Sequence, residues 1–210
     1  AARQGPDGSI EFGMGFDDPR LPLRARQHVI VPSTPGYGFA GPTTRFGIGP
    51  SAIAGLFVEL MRRLDHRRFV VAGGDWGAVI GAWMGARHAE QVAAVHLTLL
   101  PIPTPAADAN PHVTDAEREL GRRARSTMAT RTGYQAIQST RPQSLAYGLT
   151  NSPAGLAGWI VEKFQSWSDC DGDVISVFTL DRLLQNISIY WFTGTINSSM
   201  RLYHEAIVRN

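Results

Sequence analysis

Hydrophobic positions change character along this chain. In its first half, short unbroken apolar runs predict buried strands: His28-Val29-Ile30-Val31, closed by Pro32, then Phe69-Val70-Val71-Ala72, then Ala94-Val95-His96-Leu97-Thr98-Leu99. Between the first two, Ile53, Leu56, Phe57, Leu60, Met61 and Leu64 recur at helical spacing behind Ser51, which is placed to cap them. Between the second and third, the pattern predicts a helix from Ala78 to Ala89. Strands and helices alternating through short connections imply an α/β architecture, a parallel sheet with flanking helices. Strands that are apolar throughout, rather than alternating, agree with a sheet covered on both faces.

Residues 1 to about 26 are rich in Gly, Pro and Arg with little periodicity and read as loop or frayed terminus. A long loop is predicted from Pro35 to Pro50. After Pro101-Ile102-Pro103-Thr104-Pro105 the strand patterning stops. Helices are then predicted at Asp115–Met128 behind a Thr114 cap, Arg141–Tyr147, Gly155–Trp167, and from Thr179 or Asp181 to Trp191. Pro142 and Pro153 fall in first turns, where a missing N–H costs least. The pattern divides the chain into a sheet region, residues 1–105, and a helical region, residues 106–210.

Composition narrows the function classes. With 210 residues and 43% hydrophobic content, the chain has material for one large domain, or one domain and an insert, around a real core. Its longest apolar runs, such as Ile187–Phe192, fall far short of the roughly 18 residues of a spanning helix. No basic-then-apolar leader opens the sequence, so a soluble cytoplasmic protein is expected. The 20 basic and 18 acidic residues leave a net charge of +2, and Lys163 is the single lysine. Paired arginines (Arg62 and Arg63, Arg67 and Arg68, Arg122 and Arg123) are interleaved with apolar positions and read as solvated helix faces, not a nucleic-acid surface. Cys170 is the single cysteine, which suits a reducing compartment. No Cys/His cluster has ligand spacing, so a structural zinc is not expected.

The chemistry is concentrated in Gly73-Gly74-Asp75-Trp76-Gly77. A buried strand that passes through small-x-nucleophile-x-small straight into a helix makes a nucleophile elbow, which holds the central side chain in a strained turn at the carboxyl edge of the sheet. Aspartate in that position changes the reaction class. A carboxylate displaces at an sp3 carbon to give an alkyl ester, which water then cleaves at the carbonyl. The Trp76 N–H, at the start of the helix, is placed to stabilise the oxyanion of that second step. A plain helix-capping aspartate is the alternative.

The elbow does not stand alone. Together with Pro32-Ser33-Thr34-Pro35-Gly36-Tyr37-Gly38-Phe39, Gly133-Tyr134-Gln135-Ala136-Ile137-Gln138, Asn151-Ser152-Pro153-Ala154-Gly155-Leu156, and Tyr190 to Ile196 with Met200 to Tyr203, it resembles the microsomal-type epoxide hydrolases of the α/β-hydrolase fold. The resemblance runs over roughly residues 27 to 205. It implies a partial α/β-hydrolase core at 1–105 and a helical lid at 106–210. It also implies a small apolar epoxide as substrate, no cofactor, Asp75 as nucleophile, and Tyr134 and Tyr203 as lid phenols that bind the epoxide oxygen and protonate it. A phenol suits that task because it donates at neutral pH without competing as a base. Trp76, Trp159, Trp167 and Trp191 read as ordinary core, with pocket lining as the alternative.

Two departures from the family pattern carry further expectations. The early His-Gly-x-Pro motif, whose backbone gives the second oxyanion donor, has only Arg3-Gln4-Gly5-Pro6 as a counterpart. No later strand follows the Tyr203 segment to carry the acid and histidine of the fold, so the chain is expected to be a partial representative, able to alkylate itself once and stall. Of the six histidines, His28 and His96 are expected in buried strands. His204 is expected to point away from its neighbour Tyr203, because adjacent helical residues diverge by about 100°. Two other functions fit the same residues: a haloalkane dehalogenase, which shares the aspartate nucleophile, and a non-catalytic relative that binds a small apolar ligand.

Overall fold

In a computed structural model, residues 2–4, 10–12, 28–99 and 113–209 are described. The chain forms two units, Ala1–Ser33 and Thr34–Asn210. In the first, β1 (Ala2–Gln4) and β2 (Ile10–Phe12) pair antiparallel with Arg3 opposite Glu11. Three-residue strands are too short for periodicity to reveal, which is why the sequence reads there as loop. The strand expected at His28–Val31 is not formed, and Val29 and Val31 are each 59% exposed. An extended segment becomes a strand only when a neighbour satisfies its backbone, and none of the described strands pairs with this one.

The second unit begins with a loop and then α1 (Pro50–Arg63). Its cap is Gly49 with Pro50 in the first turn, so the expected Ser51 cap sits one turn position inside the helix. Next come β3 (Phe69–Gly74), α2 (Trp76–Arg87) and β4 (Val92–Thr98). β3 and β4 pair in parallel, with Gly73 beside Leu97 and Gly74 beside Thr98, so the described parallel sheet has two strands where three were expected. Helix α2 packs against both strands and α1 packs on α2. The expectation of cover on both faces fails: Val70 is 65% and Val95 45% exposed, and His96 is exposed as well. His28 is likewise exposed instead of buried.

Among the described residues six α-helices follow: α3 (Asp115–Arg131), α4 (Gly133–Thr140), α5 (Pro142–Asn151), α6 (Pro153–Ser166), α7 (Leu180–Thr193) and α8 (Ile196–Ile207). The caps explain their starts. Thr114 and Glu117 form a reciprocal capping box on α3, Ser152 accepts from the Gly155 N–H on α6, and Thr179 accepts from the Arg182 N–H on α7. Pro142 and Pro153 sit in the first turns of α5 and α6, as expected. The expected junction between sheet region and helical region at 105/106 lies outside the described residues.

Two cores hold this unit. Ile53, Ile80, Met84, Val92 and Leu202 join α1, α2, β4 and α8. Ala146, Leu149, Leu156, Ile160, Ile187 and Met200 join α5 to α8. Helix α8 enters both, and it is also tied to the loop before α1. The Ser198 hydroxyl donates to the Gly36 carbonyl at 2.6 Å, and the Tyr37 hydroxyl donates to the Ser199 carbonyl at 2.9 Å. These bonds fix Tyr37 and the face of α8 that carries Tyr203. No helix among the described residues is long and apolar enough to cross a membrane.

Candidate active site

Between β3 and α2 the chain turns at Asp75, whose backbone lies at φ 51°, ψ −125°. L-residues avoid positive φ, and one held there costs on the order of 1–3 kcal/mol unless its surroundings impose it. The surroundings here are backbone. A Cβ on Gly73 would lie 2.3 Å from the Gly77 carbonyl oxygen, and one on Gly74 would lie 2.7 Å from the Thr98 hydroxyl oxygen. Glycine is what lets the end of β3 pass the first turn of α2 so closely.

An ordinary capping aspartate has extended backbone and accepts from the second or third helical N–H. Asp75 does neither. Its Oδ1 accepts from the Trp76 N–H, the first of the helix, at 2.5 Å. The capping alternative therefore does not account for this turn, and the geometry is that of an elbow.

Asp75 lines a pocket of about 300 Å³. Helix α4 contributes Tyr134 and Gln138, and α6 with its C-terminal residue contributes Trp159, Lys163 and Trp167. Helix α7 contributes Tyr190 and Asn186, α8 contributes Ser199 and Tyr203, and the loop before α1 contributes Tyr37. The four residues singled out from the sequence, Asp75, Trp76, Tyr134 and Tyr203, thus meet in one cavity although they come from three helices and a turn. A larger, more open groove of about 420 Å³ along α7, lined by Asp181, Leu184, Gln185, Ser188 and Ile189, holds none of them.

Edge-to-face ring contacts order the phenols. Tyr203 meets Trp76 at a centroid distance of 4.9 Å and Tyr134 at 5.9 Å, and Tyr134 meets Trp167 at 5.2 Å. The Gln135 amide donates to the Tyr134 hydroxyl oxygen at 2.9 Å, which occupies a lone pair and leaves that O–H as a donor. Burial pushes the Tyr203 phenol well above its ordinary range; the nearby Trp76 indole N–H and Gln138 pull it back in part, while Tyr134 and Asp75 push it up. Trp76 Nε1 itself is buried without a partner of hydrogen-bond geometry. Burial likewise raises Tyr190, and it raises Tyr37 with help from Tyr203, Tyr190 and Asp75. Phenols that resist ionisation beside a carboxylate remain donors through neutral and mildly alkaline pH.

Among the described residues no histidine lines this pocket, and no group of three or more His, Cys, Asp or Glu is placed to hold a metal. His204 turns to α4, its Nδ1 lying 2.6 Å from the Ser139 carbonyl oxygen. The sequence reading missed Tyr37, Tyr190 and Lys163 as pocket residues. Tyr37 and Tyr190 lay within the segments that carried the family resemblance, and Lys163 stood out only as the single lysine. Trp159 and Trp167, read as core, line the pocket, whereas Trp191 packs against the core of α5 to α8.

An elbow closing a parallel β-α-β unit, with helices over its tip, defines a class, and the family model of the alpha/beta hydrolase fold matches residues 18–145. The chain belongs to the alpha/beta hydrolase fold family. Within it, the chain is 36% identical over 197 residues to the juvenile hormone epoxide hydrolase of Bombyx mori, a match covering 85% of this chain and 42% of that protein. It is 35% identical over 199 residues to epoxide hydrolase 1 of Sus scrofa, covering 84% and 43%. The crystal structure of juvenile hormone epoxide hydrolase from the silkworm Bombyx mori superposes with a TM-score of 0.74 at 34% identity, over 83% of this chain and 46% of that one. The resemblance read from the five sequence segments is thus borne out. The chain spans about two fifths of the length of these curated relatives.

Proposed function

We propose that the pocket opens epoxides by attack of Asp75. The single observation that carries this reading is an aspartate at φ 51° lining one pocket with two half-buried phenols, Tyr134 and Tyr203. Asp75 Oδ2 forms the bond to a ring carbon while the carbon–oxygen bond of the ring breaks. The leaving alkoxide takes a proton from Tyr134 or Tyr203, and that phenol recovers it from water. The product is a β-hydroxyalkyl ester of Asp75.

Oδ1 becomes the ester carbonyl oxygen, and it already rests on the Trp76 N–H. That donor suits the oxyanion formed when water attacks the ester carbon, the step that releases a vicinal diol and restores the carboxylate. Activating the water needs a general base, and the described pocket residues include none besides Asp75 itself. The residues described here therefore account for alkylation. In this reading the helices from α3 onward act as a lid over a core that ends near residue 105.

The test is intact-mass spectrometry of the 210-residue chain after exposure to styrene oxide. The expected result is one added epoxide on the peptide that contains Asp75, absent in Asp75→Asn. An unmodified chain, or an adduct that persists in Asp75→Asn, overturns the proposal. A haloalkane dehalogenase would instead release chloride from 1-chlorohexane, for which Trp76 Nε1, buried and unpartnered, is the supporting feature; release of chloride without epoxide alkylation decides for it.

A further inference from the structure

We infer that Lys163 makes this pocket selective for epoxides that carry a carboxylate on the side of the molecule away from the ring. The inference rests on reading the cavity as an epoxide site. Lys163 is the single lysine of the chain and, among the described residues, the only cationic side chain lining the pocket. Its side chain is 22% exposed, so it is a wall of the cavity and not a solvated surface arm.

Three aromatic rings hold its ammonium. Nζ lies 4.9 Å from the ring centroid of Tyr134, and 5.7 Å from those of Trp159 and Trp167. Ring faces attract a cation and fix its place without supplying lone pairs to its N–H groups. The one carboxylate paired with it, Glu162, is 55% exposed. Glu162 occupies one of the three ammonium donors, and water competes for its exposed carboxylate. The ammonium therefore keeps donors free for a ligand, inside a cavity walled mainly by aromatic and phenolic rings, with Gln138, Asn186 and Ser199 as its neutral polar groups and Asp75 as its carboxylate.

Charge arrangement sets the geometry of the preferred ligand. Asp75 repels a second carboxylate placed beside the oxirane, whereas Lys163 attracts one, so the two groups select molecules whose anion and epoxide lie apart. A charge-assisted hydrogen bond in a partly buried site is worth about a tenfold preference. The carboxylate of such a ligand meets the Lys163 ammonium next to the Tyr134 ring, while the oxirane meets Asp75 and the phenols.

The experiment compares 4-(oxiran-2-yl)benzoate with its methyl ester on the full chain, following the rate of adduct formation by intact mass. Lys163→Met is expected to lower the ratio of the carboxylate rate to the ester rate about tenfold, whatever it does to the ester rate itself, while Lys163→Arg retains that ratio. In parallel, quenching of tryptophan fluorescence by 4-ethylbenzoate, which has no oxirane, reads anion binding without chemistry. Lys163→Met is expected to weaken it about tenfold. Equal effects of Lys163→Met on both epoxides, or benzoate binding that does not depend on Lys163, overturn the inference. If benzoate binding depends on Lys163 but no epoxide alkylates Asp75, the anion site stands and the epoxide reading falls.

Discussion

Gly73 and Gly77 face each other across the elbow so closely that a Cβ on Gly73 would lie 2.3 Å from the Gly77 carbonyl oxygen. The relationship is one-sided, because a Cβ on Gly77 would meet nothing within 4 Å. Both positions are small in the motif, yet only the first is small for steric reasons. Gly73→Ala is therefore expected to destabilise the chain by about 1–3 kcal/mol and to abolish Asp75 alkylation, since relief of the clash must move the turn. Gly77→Ala, in the first turn of α2, is expected to be neutral or to stabilise by up to about 1 kcal/mol. Urea unfolding of both variants decides the point, and equal losses would remove the steric account.

Tyr134 and Tyr203 stand edge-to-face at 5.9 Å, which lets either phenol reach an oxygen held between them. Redundancy of this kind predicts unequal penalties for single and double removal. Tyr134→Phe or Tyr203→Phe alone is expected to slow alkylation of Asp75 by styrene oxide at least about tenfold, and the double variant by roughly 10²–10⁴-fold. Near-UV circular dichroism should stay close to that of the parent, because only hydroxyls are lost. A double variant that alkylates as fast as the parent would assign proton delivery to another group, with Tyr37 and Tyr190 the other phenols that line the pocket.

How much of this was legible in the sequence follows from which interactions are local. The elbow could be read because strand, turn and helix are contiguous between Phe69 and Arg87. The helix start at Thr114 could be read because a cap is a contact within three residues, and Thr179 was one of the two starts offered for α7, whereas α6 begins at Pro153 behind a Ser152 cap, two residues before the expected Gly155. The strand expected at His28–Val31 failed because pairing depends on a distant neighbour, about which an apolar run says nothing. The same limit applies to burial: Val70 and Val95 belong to runs that look like core, but their exposure is set by what packs on the sheet. Tyr37 and Lys163 were missed as pocket residues for this reason too. Tyr37 reaches the pocket through its bond to the Ser199 carbonyl, 162 residues away in sequence.

The helical half should depend on its own core. Leu156 is fully buried, packed with Ile160, Ile187 and Met200 among α6, α7 and α8. Leu156→Ala leaves a cavity that these helices can close only in part, so a loss of about 2–5 kcal/mol is expected in chemical unfolding. Because the pocket is built largely from the same helices, alkylation of Asp75 should also become less uniform between probes of different size. A loss below about 1 kcal/mol would show that this cluster repacks freely and does not set the pocket's shape.

Alkaline pH gives a separate test, through the three phenols that burial holds above their ordinary range, Tyr37, Tyr190 and Tyr203. In the unfolded chain a tyrosine ionises near pH 10. In the folded chain these three keep their protons to higher pH, so above about pH 10 the folded state binds more protons than the unfolded one. Stability must then fall as pH rises. Their contribution is fully present below pH 10 and is lost as pH climbs from there through the folded-state range. The expected outcome is a free energy of unfolding that declines above about pH 10, with a shallower decline in Tyr203→Phe. Absorbance at 295 nm should show part of the tyrosine ionisation delayed until the chain unfolds. Ionisation of all five tyrosines in one step near pH 10, in a chain still folded by far-UV circular dichroism, would mean that the pocket is wet and the phenols are not held as donors.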